Sequence, residues 1–300
     1  MSKTRNLGRH EFAVTIAASA AMLPVAGLPV SASPAAISKR PIPASGELIP
    51  ILGMGTWITF NVGPSERLRK ACAHVLQSFF DHGGAVVDSS PMYGSSVEVI
   101  GYCLKQVSGP DRIFSATKVW TPVDNQGAEQ METSERLWCK TPFDLLQIHN
   151  LLNWETHLET FKSSKAKKRV RYTGITTSHG RRHDYFADLM RTQPLDSAQF
   201  TYNILDRGAE DRLLPLAADQ GITIIVNRPF RRSVAFEHVA GHPVPDWAAE
   251  FGADTWALFF LKFVLSHPSV TCTIPATSKV DHMVENMAAV WCRTRRCASA

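Results

Sequence analysis

Four residues whose side chains can cooperate in proton transfer stand at or near the ends of apolar segments. Asp88, Lys118 and His149 each end a different segment, and Tyr93 lies in the Ser-, Pro- and Gly-rich turn after Asp88. A phenol has an unperturbed pKa of about 10, and a neighbouring ammonium favours the phenolate and lowers that pKa. The pattern predicts that Tyr93 donates a proton, with its pKa lowered by Lys118. Asp88 would keep the lysine charged, and His149 would orient a carbonyl oxygen.

The elements that would position these side chains are buried strands. The segment at 85–88 is apolar without alternation, as in strands covered on both faces. Strands and helices alternate over about 250 residues, the length of one (β/α)8 TIM barrel of the α/β class. In such a barrel the carboxyl ends of the strands share one rim, where the four side chains would meet. The eight predicted strands lie at 52–57, 85–88, 112–118, 143–149, 172–176, 196–199, 222–226 and 270–274.

Each of these residues taken alone has an ordinary structural explanation. An aspartate at a strand end is usually a helix cap, and a lone histidine usually bonds to a neighbour. The set on successive strands is harder to explain as packing. The six cysteines form no CxxC pair and show no metal-ligand spacing with histidine, and those at 72, 103 and 272 are predicted to be buried thiols. The site has no nucleophile or metal of its own, so the electrons are expected to come from a bound cofactor.

From 40 to 290 the chain resembles the aldo-keto reductases, a family of TIM barrels that use NADP(H). The motifs that match in order are LGMGTW at 52–57, Asp-Ser-Ser-Pro-Met-Tyr-Gly at 88–94, TKVW at 117–120, LQIH at 146–149 and IP to EN at 274–286. The resemblance implies that Asp88, Tyr93, Lys118 and His149 form a catalytic tetrad. Tyr93 would protonate the carbonyl oxygen while hydride arrives from the nicotinamide. It also implies that Trp57 and Trp120 line the substrate pocket.

The resemblance also implies a set of cofactor contacts. Gln199, Thr176 and Thr177 would hold the nicotinamide carboxamide, and Arg228 would begin the segment around the pyrophosphate. Asn227 stands where many members stack an aromatic ring on the nicotinamide, and Arg231-Arg232-Ser233 replaces a glycine-rich turn. The remaining implied cofactor contacts are Gly55, Thr56, Thr277, Ser278, Lys279, His282, Glu285 and Asn286.

The last of these contacts concern the choice between NADP(H) and NAD(H). Thr277, Ser278 and Lys279 lead into the final predicted helix, whose N-terminus can attract the 2′-phosphate of NADP(H). His282 occupies a position that is often arginine in the family, so NAD(H) stays open as an alternative. Glu285 and Asn286 would contact the adenine. Ordinary surface polarity is the competing interpretation of these helix residues.

Residues 1–32 have the pattern of a secretory signal. Lys3, Arg5 and Arg9 precede an apolar stretch at 12–30 that is short and broken by prolines, unlike a membrane span. The stretch at 8–12 resembles a bacterial twin-arginine signal with histidine in place of the second arginine. We expect export to the periplasm, and a cytoplasmic protein if the leader does not function.

The charge distribution and the C-terminal tail limit the kinds of partner that we expect. The leader carries a net +2 and the basic tail +3 of the overall +5, so the remaining residues, 33–292, sum to zero and offer no nucleic-acid footprint. The tail at 292–300 matches nothing in the family and resembles a truncation or an altered reading frame, with a true short basic tail as the alternative. We expect a monomer acting on a small carbonyl compound.

Three functions are compatible with the sequence. The leading hypothesis is an NADP(H)-dependent oxidoreductase that reduces an aldehyde or ketone with a tyrosine as general acid. The alternative is a catalytically weak or inactive cofactor-binding barrel that serves as a redox sensor or interaction scaffold. A third hypothesis is an isomerase or lyase that uses the same lysine and aspartate without a nicotinamide.

Overall fold

The computed structural model describes residues 37–291, so the predicted leader at 1–32 and the predicted tail at 292–300 lie outside the described residues. The described chain begins with a hairpin of β1 (Lys39–Pro41) and β2 (Leu48–Pro50), paired antiparallel. The Arg40 guanidinium donates to the carbonyl oxygens of Leu265 and His267 at 2.7 and 3.0 Å. These bonds join the hairpin to the barrel that follows.

Eight parallel strands follow the hairpin in the described residues, each paired with its neighbours in the chain. Backbone bridges from Leu52 to Thr273 and from Gly55 to Ala276 join the first strand to the last and close the sheet. The predicted α/β (β/α)8 TIM barrel is therefore confirmed. The strands are β3 (Met54–Gly55), β4 (Val86–Asp88), β5 (Phe114–Val119), β6 (Phe143–His149), β7 (Val170–Thr176), β8 (Ser197–Thr201), β9 (Thr223–Asn227) and β10 (Cys272–Thr273).

Helices lie between the strands and cover the outside of the sheet. In the described residues these are α1 (Glu66–Asp81), α2 (Ser96–Leu104), α3 (Gln126–Trp138), α4 (Trp154–Ala166), α5 (His183–Thr192), α6 (Leu213–Gln220), α7 (Val234–Glu237), α8 (Trp256–Ser266) and α9 (Val280–Ala288). The helix α1 is typical, with an apolar face of Val75, Leu76 and Phe79 buried against the sheet.

Two predicted strands are shorter than expected by three or more residues, and both lie at the seam of the barrel. The predicted segments 52–57 and 270–274 contract to β3 and β10, and the rest of their contact consists of isolated bridges. Gly55 permits this close approach, because a Cβ there would lie 2.8 Å from the carbonyl oxygen of Ile274. A second difference is that Val119, one residue beyond Lys118, ends β5.

The barrel interior changes from apolar to polar along the strands. Side chains alternate between the faces of a strand, so Val86 and Asp88 share the interior face of β4, as Leu145, Gln147 and His149 do on β6. The polar side chains lie toward the carboxyl ends, which places a hydrogen-bonded cluster at one rim above an apolar layer. That layer contains Ile42, Ile49, Val86, Phe114, Ala116, Leu145, Tyr172, Ile225, Cys272 and Ile274.

Candidate active site

A buried ion pair lies at the centre of the carboxyl rim. The Lys118 ammonium contacts a carboxylate oxygen of Asp88 and donates to the Ser89 carbonyl oxygen at 3.0 Å. The exposed fractions of Lys118 and Asp88 are 0% and 1%. A charge removed from water is tolerated only when it is paired and hydrogen-bonded, so each of these two groups requires the other.

Two glutamine amides complete the environment of the Asp88 carboxylate. Gln147 Nε2 on β6 and Gln199 Nε2 on β8 lie 3.2 and 3.0 Å from its second oxygen. The sequence predicts a cofactor contact for Gln199 and does not single out Gln147. Gln147 could have been found from its position two residues before His149, on the same interior face of β6.

The Tyr93 ring lies beside this ion pair and beside His149. Tyr93 ends a short 3-10 turn, Pro91–Tyr93, and the N–H of Met92 donates to Ser90 Oγ at 3.2 Å. The Tyr93 and His149 rings meet edge to face with centroids 5.4 Å apart. The Lys118 ammonium lies 5.3 Å from the centroid of the tyrosine ring. The structure therefore brings together the four side chains that the sequence singled out.

The acidity of Tyr93 differs from the sequence-based expectation. The pKa of Tyr93 is raised well above its usual value by burial and then by the charge of Asp88. The expected lowering by Lys118 is wrong for this structure, because the Asp88 carboxylate opposes the field of the ammonium and burial disfavours the phenolate. Burial also lowers the pKa of Lys118, against the opposing effect of Asp88. The phenol is therefore neutral and holds its proton at physiological pH.

His149 is a neutral imidazole. Burial, and then the charge of Lys118, lower its pKa to about 3. Its Nδ1 lies 2.8 Å from Ser90 Oγ, which also accepts the N–H of Met92. We assign the Ser90 hydroxyl as donor to Nδ1, which leaves the ring proton on Nε2. A neutral Nε2–H can donate to a carbonyl oxygen without adding charge to the site.

The lowered pKa of His149 makes stability depend on pH. Because His149 protonates at about 6.5 when unfolded and at about 3 when folded, the unfolded state binds more protons between these values and stability falls as pH falls. We expect this residue alone to reduce the free energy of unfolding by about 2 kcal/mol between neutral pH and pH ~5. Urea unfolding at a series of pH values checks this for wild type and His149→Asn. Identical pH slopes for the two proteins would contradict it.

A cleft of about 790 Å³ opens at this rim and exposes part of the cluster. Tyr93, His149, Gly55, Thr56 and Trp57 line it, whereas Lys118 lies buried outside the lining. The Trp57 ring lies under the Arg232 guanidinium, 4.3 Å from carbon Cζ to the ring centroid.

Trp120, the second predicted pocket residue, does not line this cleft. Its side chain is 40% exposed, and its backbone N–H and C=O both bond to the side chain of Gln130, at 2.7 and 2.8 Å. The structure therefore separates Trp120 from the other predicted substrate residue.

The residues predicted to hold the nicotinamide lie together at the ends of β7, β8 and β9. Thr176, Thr177 and Gln199 line the cleft, and the Thr176 hydroxyl donates to Gln199 Oε1 at 3.1 Å. Asn227 donates to the Thr177 carbonyl oxygen at 2.9 Å and accepts from the Thr201 hydroxyl at 2.7 Å. Both polar atoms of Asn227 are thus engaged, and its amide joins these strand ends.

The turn after β9 carries a buried donor with no partner in the described residues. Arg228, Arg231 and Arg232 all have positive φ, between 47° and 61°, a region that glycine adopts more easily. Arg228 and Arg232 line the cleft, and Arg228 Nε is buried without a hydrogen bond. Arg231 instead pairs with Asp206 at 3.2 Å. A phosphate oxygen would satisfy Arg228, so this turn fits the pyrophosphate of a dinucleotide.

The predicted 2′-phosphate and adenine contacts do not line the cleft. Ala276 lines the cleft and precedes Thr277, whose hydroxyl accepts the N–H of Lys279 at 3.1 Å at the start of α9. Ser278, Lys279 and His282 are exposed, Glu285 is half-buried and Asn286 is buried.

Metal centres, membrane spans and cysteine sites are the other kinds of functional site to consider in the described residues. Residues 37–291 contain no group of three or more His, Cys, Asp or Glu side chains that could hold a metal ion. No helix in that range has both the length and the apolar character needed to cross a membrane. Cys72, Cys103 and Cys272 are buried free thiols, as predicted.

The fold and the polar cluster at its rim define a TIM barrel with a site of the kind that enzymes of this fold carry. A sequence model described as the aldo/keto reductase family matches residues 51–293. Because this match covers most of the chain, the protein belongs to the aldo/keto reductase family.

Two curated bacterial proteins are similar in sequence. The aldo-keto reductase YhdN of Bacillus subtilis (strain 168) is 25% identical over 190 residues, which cover 58% of this chain and 56% of that protein. The NADH-specific methylglyoxal reductase of Escherichia coli (strain K12) is 21% identical over 244 residues, 71% and 73% of the two chains. The chain therefore spans little more than half the length of the Bacillus subtilis relative.

Solved structures share the fold. An aldo-keto reductase of Bacillus halodurans in its holo form gives a TM-score of 0.69 at 20% identity and covers 85% of this chain and 91% of its own. An aldo/keto reductase of Klebsiella pneumoniae in complex with NADP and acetate gives 0.69 at 22% identity and covers 81% and 87%. At these identities the likeness supports the TIM-barrel fold.

Proposed function

We propose that this protein reduces the carbonyl group of a small aldehyde or ketone, with NADP(H) or NAD(H) as the hydride donor. Family membership supports the reaction class. The observation that carries the proposal is the placement of Tyr93 and His149 on the cleft wall, beside a buried Lys118–Asp88 pair. The similar Klebsiella pneumoniae protein binds NADP, and the Escherichia coli relative is NADH-specific, so both cofactors are candidates.

The cofactor would lie along the cleft from the strand ends to the turn after β9. Thr176, Thr177 and Gln199 would bind the nicotinamide carboxamide. Arg228, Arg232 and Ser233 in the turn after β9 would bind the pyrophosphate. When bound, the reduced nicotinamide supplies the hydride that this chain has no group to provide.

The proton is supplied by the chain itself. Tyr93 donates its phenolic proton to the carbonyl oxygen, which becomes a far stronger base than a phenolate as the carbon is reduced. The raised pKa of Tyr93 keeps this proton in place until that charge develops. The Lys118 ammonium then stabilises the phenolate, and the neutral His149 positions the oxygen through Nε2–H.

The direct test incubates the protein with a reduced nicotinamide cofactor and a panel of small aldehydes and ketones. The absorbance of the reduced cofactor measures how fast it is consumed. We expect turnover with at least one carbonyl and with NADPH preferred over NADH, since the exposed Lys279 places a positive charge at the start of α9, with the Ser278 hydroxyl beside it. Cofactor binding with no turnover on any carbonyl would favour the sensor or scaffold function. Product formation without a nicotinamide would favour the isomerase or lyase function.

The Arg228→Gln substitution is expected to weaken NADPH binding about 10- to 100-fold. The reason is that glutamine cannot form the charge-assisted hydrogen bond that Arg228 Nε would donate to the pyrophosphate. This buried donor has no other partner in the described residues. Titration of NADPH against protein fluorescence measures the dissociation constant. Arg231→Gln is the matched control, because Arg231 lies in the same turn but pairs with Asp206 outside the cleft lining. Equal effects of the two substitutions would contradict this assignment of the pyrophosphate site.

We also propose that residues 1–32 direct export to the periplasm and that the mature protein is a monomer. The support is the basic, apolar and small-residue pattern of the leader. Cell fractionation with determination of the mature N-terminus tests the first point, and solution mass tests the second. An uncleaved cytoplasmic protein would contradict export.

A further inference from the structure

Four arginines line the cleft without an acidic partner among the described residues. Arg181 and Arg182 come from the loop after β7, and Arg228 and Arg232 come from the turn after β9. In residues 37–291, none of the four has a carboxylate oxygen within 4 Å, whereas nearby Arg212 and Arg231 are paired with Asp184 and Asp206. The carboxylate of Asp88, which also lines the cleft, is bound by Lys118. The cleft is therefore strongly positive.

The ionisation of neighbouring groups reflects this unopposed charge. Burial and then the charges of Arg228, Arg181 and Arg232 lower the pKa of His179, which also lines the cleft. Burial and the neighbouring arginines lower the pKa of Arg228, and Asp206 opposes this only in part. An anion in the cleft would relieve this repulsion.

The surroundings of three of these arginines place them in two parts of the cleft. Arg228 and Arg232 lie in the turn that fits the pyrophosphate, and Arg232 reaches Trp57. Arg182 lies on the other wall, where it donates to the Asn150 carbonyl oxygen at 3.4 Å. Asn150 follows His149 directly, and its amide contacts Met92 Sδ at 3.8 Å, next to Tyr93. Arg182 thus bonds to the residue that follows His149, which places its guanidinium on the His149 side of the cleft.

A charge count separates the roles of the arginines. The pyrophosphate of a nicotinamide dinucleotide carries two negative charges, which Arg228 and Arg232 match. Arg182 then leaves a positive charge on the side of the cleft that holds His149, and the charge of Arg181, which also acts on Arg228, adds to it. A neutral substrate would leave these charges unopposed, and a carboxylate or phosphate would pair with them through charge-assisted bonds.

We propose that the substrate is an anionic carbonyl compound whose carboxylate or phosphate is bound by Arg182 and Arg181 while its carbonyl lies between Tyr93 and His149. This inference rests on the proposed reductase function, and it names the substrate class of that same site. Arg181 and Arg182 are then specificity-determining residues.

The test compares three aldehydes that share a benzaldehyde ring. They are 4-carboxybenzaldehyde, 4-formylphenyl phosphate and the neutral methyl 4-formylbenzoate. For wild type we expect kcat/KM at least about tenfold higher for one anion than for the ester, and the better anion identifies the group that the arginines bind. The preference should decline with added salt, because the arginines are exposed. Arg182→Gln should reduce the ratio of anion to ester kcat/KM about tenfold, mainly through KM of the anion.

The matched control is Arg191→Gln. Arg191 lies on α5, pairs with Asp188 and does not line the cleft, so this change removes the same charge from the same region and should leave the ratio intact. A second readout does not depend on turnover. Calorimetry of 4-(hydroxymethyl)benzoate, the alcohol formed from the first aldehyde, should show binding that Arg182→Gln weakens about tenfold.

Several outcomes would overturn the inference, and they differ from failure of the reductase function. Equal kcat/KM for the ester and both anions would show that the cleft does not select charge. If Arg182→Gln reduces kcat/KM by the same factor for all three substrates and raises the KM for NADPH, Arg182 binds the cofactor and not the substrate. If the benzoate binds through Arg182 but no aldehyde is reduced, the reductase function fails and the anion site stands.

Discussion

Replacement of Tyr93 by phenylalanine is expected to reduce kcat/KM for carbonyl reduction about 10²- to 10⁴-fold, the usual contribution of a general acid. Phenylalanine keeps the ring whose centroid lies 5.4 Å from that of His149 and removes only the hydroxyl. The dissociation constant for NADPH should stay within about twofold, because the hydroxyl is assigned to the substrate oxygen. Steady-state kinetics with a cofactor titration measures both quantities.

Tyr185→Phe is the control for this experiment. Tyr185 is exposed, and its hydroxyl accepts the indole N–H of Trp154 at 2.7 Å outside the cleft lining. The same chemical change there should leave kcat/KM within about twofold. Wild-type turnover in Tyr93→Phe would remove the tyrosine from its assigned role and leave the cofactor assignment untouched.

The Lys118→Met substitution is expected to affect activity and stability together. It leaves the Asp88 carboxylate buried without its ammonium, which typically costs about 3–5 kcal/mol of stability. It also removes the charge that would stabilise a Tyr93 phenolate, so kcat/KM should fall about 100-fold or more. Denaturant unfolding and steady-state kinetics measure the two effects.

A double variant separates the two effects. In Asp88→Asn/Lys118→Met the buried charge is gone, and an asparagine oxygen can still accept from Gln147 and Gln199. We expect most of the lost stability to return, since replacing a buried ion pair as a whole is often neutral. Activity should stay low because the ammonium is absent. Recovery of both stability and activity would show that the pair serves the fold alone.

The convergence of the four site residues could be predicted because it depends on strand periodicity. Asp88 and His149 end strands in a chain with a clear alternation of strands and helices, and parallel strands bring their carboxyl ends to one rim. Lys118 lies one residue before the end of its strand and still points inward, since side chains alternate along a strand. The inward direction of these side chains could therefore be predicted from the sequence.

Properties that depend on the whole environment could not be predicted in the same way. The raised pKa of Tyr93 follows from burial and from the charge of Asp88, and the sequence indicated only that a lysine was near. The contact of Gln147 with Asp88 depends on the tertiary structure, since Gln147 and Gln199 come from two different strands and both lie against one Asp88 oxygen. Trp120 follows a strand end, yet its backbone bonds to Gln130 and its side chain lies outside the cleft.

The arginines that line the cleft lie in loops, and their placement could not be predicted from the sequence either. Their positions depend on residues with positive φ, namely Arg182, Arg228 and Arg232, and no sequence pattern indicates that arginine adopts this conformation. The sequence indicated phosphate contacts for the turn after β9 and gave no sign that Arg181 and Arg182 face the same cleft.

Isotope transfer tests the central claim most directly. NADPH carrying two deuterium atoms at C4 is incubated with the protein and a reducible aldehyde, and the alcohol is analysed by mass spectrometry. We predict one deuterium on the former carbonyl carbon, and none on that carbon when only the solvent is deuterated. An alcohol without deuterium from the labelled cofactor, or product formed equally fast with no nicotinamide present, would contradict hydride transfer in this cleft.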